Sequence, residues 1–84
     1  MNKLEIFKKR LIYRSNYRGT KEMDILLSKF VKKHIDGFDE MQLNELDKFL
    51  DFQDDVIWNY YHHGIIEQNI DKNKISKIFK EHLV

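Results

Sequence analysis

The sequence predicts an all-α protein, a compact bundle of about five short helices, and three observations predict it. Apolar residues recur at i, i+3, i+4 and i+7 spacing through most of the chain, which is the signature of helices with one buried face. Proline is absent and Gly occurs three times in 84 residues, so few positions can break a helix. The only β-like runs, Leu11-Ile12-Tyr13 and Ile65-Ile66-Glu67, are too short and too isolated to build a sheet.

In the first helix, Leu4, Phe7, Leu11 and Ser15 fall near a 3.6-residue period, and Ile12 widens the stripe. It fades around Asn16 and Tyr17. A second helix starts near Gly19 or Thr20, with Met23, Leu26, Leu27, Phe30 and Val31 facing inward. It is expected to end at Asp36-Gly37, with Gly37 in a left-handed cap. Asp39 and Gln42 have capping-box spacing and open a third helix that buries Leu43, Leu46, Phe49 and Leu50. Asp54 or Asp55 caps a fourth, carrying Val56, Ile57, Tyr60 and Tyr61 and stopped by Gly64. After the polar stretch from Glu67 to Asn73, Asp71 or Asn73 caps the last helix, with Ile75, Ile78, Phe79 and His82 or Leu83 inward.

Length implies a single domain over residues 1–84 with a modest core, since a chain of this size buries only about 60–65 % of its unfolded surface. Hydrophobic residues make up 42 % and charged residues 35 %, a globular balance. Cysteine is absent, which excludes disulfides and thiolate metal sites. No apolar run approaches a membrane span, so no direct membrane insertion is expected. The N-terminus is too charged for a signal peptide, and the expectation is a bacterial-type cytoplasmic protein, mature as written. A net charge of +1 argues against nucleic-acid binding. The charge is nonetheless polarised. Lys3, Lys8, Lys9, Arg10, Arg14 and Arg18 crowd one end, and the acidic residues from Asp36 to Asp55 the other. Such runs are ordinarily solvated helix faces, and otherwise orient a chain on a complementary partner.

Catalytic signatures are missing. The three glycines are too scattered for a phosphate loop. His62 and His63 are adjacent and diverge by about 100° on a helix, so no metal site is expected. His34 and His82 stand near helix ends, where positive charge suits the dipole. No carboxylate lies in an apolar pattern that would tune it as an acid or base, so an enzyme is not expected.

The stretch Asn16 to Leu27 holds the one unexplained feature. Gly19 as an N-cap would put Glu22 at the third helical position, with Asp24 adding a second carboxylate in the first turns. That account leaves Arg18 a bare surface residue and Gly19 a second-rate cap. The alternative is a contact. Glycine at a helix start lets another backbone approach closely, and arginine supplies a planar fork of donors.

Here the sequence resembles a known family. Arg18, Gly19 and Glu22 followed by the apolar helix Met23 to Phe30 match the Arg-Gly-x-x-Glu signature of the succinate dehydrogenase flavinylation factors, also called FAD assembly factors. Asp54, Asp55, Val56, Ile57, Trp58 and Gly64 match a second block of acidic cluster, apolar pair, Trp and Gly. The resemblance covers about residues 5–65. It departs from the family at Tyr17, where a second basic residue commonly precedes Arg-Gly.

The resemblance implies an assembly factor or chaperone, not an enzyme. Such a factor binds the flavoprotein subunit of succinate dehydrogenase, or of fumarate reductase in some bacteria, and promotes covalent attachment of FAD to it. It implies a monomer that binds no cofactor stably and acts on the client's FAD. It places Tyr17, Arg18, Gly19, Glu22 and Asp24 at the partner-binding surface, with Glu22 bracing Arg18 or the helix start. Gly19→Arg is then expected to cost little stability while blocking contact. Trp58 is either core filler or an interface anchor, and its apolar neighbours Val56, Ile57 and Tyr61 favour the core. An antitoxin-like or generic helical interaction module is the alternative, and a weak nucleic-acid binder acting through the basic first helix a remoter one.

Overall fold

A computed structural model describes residues 2–82, and among these the chain forms five α-helices and no strand. They are α1 (Lys3–Arg14), α2 (Lys21–His34), α3 (Glu40–Phe49), α4 (Asp54–His63) and α5 (Lys74–Lys80), with 3₁₀ turns at Ile35–Gly37 and Ile70–Lys72. The expected position of Leu83 lies outside the described residues.

The caps explain where the helices begin. Asn2 accepts from the Glu5 amide (2.8 Å), and Asp39 and Gln42 close the expected capping box (2.8 and 3.0 Å). Asn73 proves to be the cap of α5, its Oδ1 taking the Ile75 amide at 2.8 Å while its Nδ2 donates to the Glu45 carbonyl of α3 at 2.9 Å. One buried side chain thus starts α5 and fastens it to α3. Gly64 ends α4 as expected, and does so in a left-handed cap conformation with φ +67°.

Four details depart from the sequence reading. The cap of α2 is Thr20, not Gly19: its hydroxyl accepts from Met23 N at 3.2 Å, which puts Glu22 at the second helical position. Gly37 has no left-handed backbone, because α2 closes into the 3₁₀ turn instead. Asp54 and Asp55 lie inside the first turn of α4, after Gln53. Leu4 is left outside the core at 39 % exposure, since α1 meets the bundle chiefly through Leu11, with Phe7 and Ile12 at its margin.

The buried stripes join in one core. Met23, Leu26, Leu27, Phe30 and Val31 of α2 meet Leu43, Leu46 and Phe49 of α3, Val56, Ile57 and Tyr60 of α4, and Ile75 and Phe79 of α5. At its centre Phe79 stands edge-on to Phe30 (5.0 Å between centroids) and 5.1 Å from Phe49, linking α2, α3 and α5 through favourable ring geometry. Ile70, in a stretch read as polar, is fully buried beneath its 3₁₀ turn. His82 is also buried, and neither of its ring nitrogens has a hydrogen-bond partner among the described residues. Burial and the nearby charges of Lys33, His34 and Lys29 hold its pKa below the ordinary histidine value. A charged dipole partner at the helix end is therefore not what His82 supplies.

Candidate functional site

The segment between α1 and α2 is built to turn Arg18 inward. Ser15 is fully buried and its hydroxyl donates to the Ile12 carbonyl at 2.6 Å, closing the last turn of α1. Asn16 Nδ2 donates to the same carbonyl at 2.9 Å. Tyr17 then takes a left-handed backbone (φ +59°), uncommon for a bulky residue, and reverses the chain. Its ring remains 79 % exposed and lies 5.5 Å from that of Tyr13.

Arg18 is not the free surface residue its position suggested. Its side chain is 14 % exposed. Nε donates to Asp54 Oδ1 at 2.8 Å, Nη1 to the Leu50 carbonyl at 2.9 Å and Nη2 to the Phe52 carbonyl at 2.9 Å. Leu50 is the C-cap of α3, so the guanidinium satisfies a carbonyl left over at that helix end and puts positive charge at the negative pole of its dipole. Asp54, in the first turn of α4, balances it. The fork thereby fixes the α3–α4 connection to the start of α2, a three-direction task suited to arginine rather than lysine.

Gly19 belongs to the same lock. Its amide donates to Asp54 Oδ2 at 2.7 Å, so one carboxylate holds both Arg18 and Gly19. A Cβ at Gly19 would stand 3.1 Å from that oxygen, whose carboxylate is held by Arg18 at Oδ1 and by the Gly19 amide at Oδ2. The close approach thus favours glycine, since a Cβ fits only if the Asp54 carboxylate gives by a few tenths of an ångström. The Arg18 amide donates to the Asp24 carboxylate, which turns back from α2 to hold the loop. Glu22 does not brace Arg18 and makes no ion pair among the described residues. Arg14, one turn before Ser15, bridges to Asp47 and Asp51 and fastens α1 to α3.

Beside the lock runs an apolar trough between α2 and α4. One hollow of about 390 Å³ is lined by Thr20, Glu22, Met23, Asp55 and Trp58 among others. A second, of about 270 Å³, shares Glu22 and Trp58 and continues past Ile25 to Tyr61 and His62. Trp58 is therefore not wholly core as expected: it packs on the core along one side and forms the trough wall along the other. The imidazole of His62 lies against the indole, 4.1 Å between centroids. Of the expected partner-binding residues, Arg18, Gly19 and Asp24 come together in the lock, Glu22 lines the trough, and Tyr17 stands apart beside Tyr13. The residue that sequence reasoning missed is Asp54, read only as a helix cap. Its place in the second motif block was the available signal.

Among the described residues, no group of three or more His, Cys, Asp or Glu side chains could hold a metal. No helix there is long and apolar enough to cross a membrane.

A family model described as flavinator of succinate dehydrogenase matches residues 9–83. The chain belongs to this family. Succinate dehydrogenase assembly factor 2, mitochondrial, of Scheffersomyces stipitis is 42 % identical over 81 residues, covering 92 % of this chain and 52 % of its own. The protein of that name from Debaryomyces hansenii is 38 % identical over 81 residues, covering 92 % of this chain and 55 % of its own. A Drosophila simulans relative, assembly factor 2-B, is 49 % identical over 47 residues, covering 56 % and 30 %. The chain thus spans about half the length of these fungal relatives. Those relatives are named mitochondrial, which overturns the expectation of a bacterial cytoplasmic protein.

Proposed function

We propose that residues 1–84 form one domain that acts as an assembly factor for succinate dehydrogenase, binding its flavoprotein subunit and promoting covalent attachment of FAD to it. The family match over residues 9–83 carries this reading. The surface built around Arg18 and Gly19 supports it. In this reading Tyr17, the Gly19 backbone and Glu22 touch the client. Arg18 and Asp24 act as positioning residues that hold the loop in its docking shape. Because three guanidinium bonds and the Gly19–Asp54 bond are made before any partner arrives, little ordering is left to be done on binding, which favours affinity.

The bond between flavin and client is made by groups of the client and its FAD, and this chain binds no cofactor stably. No enzymatic role is assigned to it. Its contribution is to favour a client conformer in which flavin and acceptor side chain meet, so that attachment gains from proximity and orientation. The test is deletion of the gene, with in-gel flavin fluorescence of the flavoprotein subunit as readout. The expected result is a subunit still expressed but with its fluorescence largely lost. Unchanged fluorescence at unchanged subunit level would refute the reading.

A further inference from the structure

The trough between α2 and α4 carries features that the lock itself does not need. Its apolar lining includes Met23, Leu26 and the half-buried Trp58, with His62 against the indole at one end. Neither hollow is lined by a Lys or Arg. Its charge is balanced only in part, since Glu22 and Asp55 have the first turns of their own helices and no cationic side chain to offset them. The charge of Asp54 is met by Arg18 at 2.8 Å, whereas Glu22 on α2 and Asp55 on α4 have no ion pair among the described residues. Two carboxylates without an ion pair among the described residues therefore line, with the Trp58 indole, a trough open to solvent, Asp55 Oδ1 accepting from the Val56 amide at 2.9 Å.

An apolar partner alone would leave those carboxylates partly desolvated without a counter-charge, which costs free energy. An acidic partner would add repulsion. A long cationic side chain meets every part of the trough. Its methylenes can lie on the apolar floor while its head stays at the wet rim, as arginine and lysine do on protein surfaces. The face of an indole is the best aromatic partner for such a cation. Arginine fits better than lysine, because its flat guanidinium both stacks on a ring and bonds carboxylates in pairs.

We propose that this trough is a receptor for an arginine side chain projecting from an otherwise apolar segment of the partner, held against Trp58 between Glu22 and Asp55. The inference deepens the docking reading above and rests on it for its biological setting. It also gives Glu22 a task directed at the partner and not at Arg18.

Trp58 is the only tryptophan in the chain, so its indole N–H gives a single NMR cross-peak at the site in question. The experiment titrates the full chain with end-blocked Leu-Arg-Leu, and in parallel with the same peptide carrying citrulline, which keeps the shape and removes the charge. No client is present, so failure here leaves the flavin test above standing, and failure there leaves this result readable. The expected outcome is a saturable shift of the Trp58 indole peak with the arginine peptide, weakening as salt rises. The citrulline peptide should bind about five- to tenfold more weakly, and Glu22→Gln/Asp55→Asn should erase most of that difference, the sum of two exposed ion pairs and a cation–π contact. The double variant's own melting curve is taken alongside, and an intact fold is required for the comparison. If it fails to fold, the citrulline comparison on the unmodified chain decides alone. Equal response to both peptides, or an unmoved indole peak at about 10 mM arginine peptide, roughly tenfold above a dissociation constant of 1 mM, would overturn the proposal.

Discussion

Arg18→Ala should be the most destabilising substitution in the loop between α1 and α2. It removes three side-chain hydrogen bonds, to Asp54, the Leu50 carbonyl and the Phe52 carbonyl. Deleting one partner of a fully buried ion pair costs about 3–5 kcal/mol. This pair falls short of that limit, because Asp54 is 28 % exposed and water can reach it once the guanidinium is gone. The two carbonyls lose charge-assisted donors, and Leu50 O also loses its cation at the α3 terminus. The expected total is about 2–4 kcal/mol. Against a stability of about 4–13 kcal/mol for 84 residues, that is a large share. For a domain of this size it lowers Tm by roughly 10–25 °C, read by circular dichroism at 222 nm. Arg18→Lys should recover only part of the loss, since a single ammonium cannot serve three acceptors in three directions. A Tm within about 4 °C of the parent for Arg18→Ala would refute the reasoning, because it would put the lock below 1 kcal/mol.

Gly19→Ala should cost about 1–2 kcal/mol and Gly19→Arg more, because the added Cβ meets Asp54 Oδ2 at 3.1 Å. This reverses the expectation that Gly19→Arg leaves the fold intact, and equal melts for parent and variant would restore it. Asn73→Ala should lower stability by about 1–2 kcal/mol through loss of the α5 cap and the bond to the Glu45 carbonyl. Asn73→Asp should keep the cap alone, and urea melts of the two variants separate the contributions. His82 and His34 both have pKa values held below the ordinary histidine value of 6.5, chiefly by burial. The unfolded chain therefore takes up protons that the folded chain refuses, so stability should be flat above about pH 6.5 and fall as the pH drops below it. His82→Leu should flatten that decline in chemical denaturation between about pH 8 and pH 5, and an unchanged slope would contradict it.

The helices were legible because each buries one face in the same core. The stripes of α2 and α3 could be read residue by residue, and so could the Asp39–Gln42 box and the stop at Gly64. Ile70 was hidden by its neighbours: one apolar residue in a polar run has no period to betray it. Gly37 misled because a 3₁₀ turn satisfies the last carbonyls of α2 without a left-handed residue. Periodicity describes one helix at a time, and that limit decided the site. Arg18 is exposed on the logic of its own segment, and only the α3–α4 connection, more than 30 residues on, turns it inward. Trp58 shows the same limit from the other side. Its apolar neighbours marked a buried helix face, but the separation of α2 from α4, which leaves its outer edge in a trough, is a property of two helices together.

The most direct test of the account adds the purified chain to purified, flavin-free flavoprotein subunit of succinate dehydrogenase with FAD, and measures flavin fluorescence that survives a denaturing gel. Covalent flavin should appear faster, or to a higher level, in proportion to added chain, with a weaker effect for Glu22→Gln at equal folded concentration. Covalent flavin that forms at the same rate with and without the chain would contradict it.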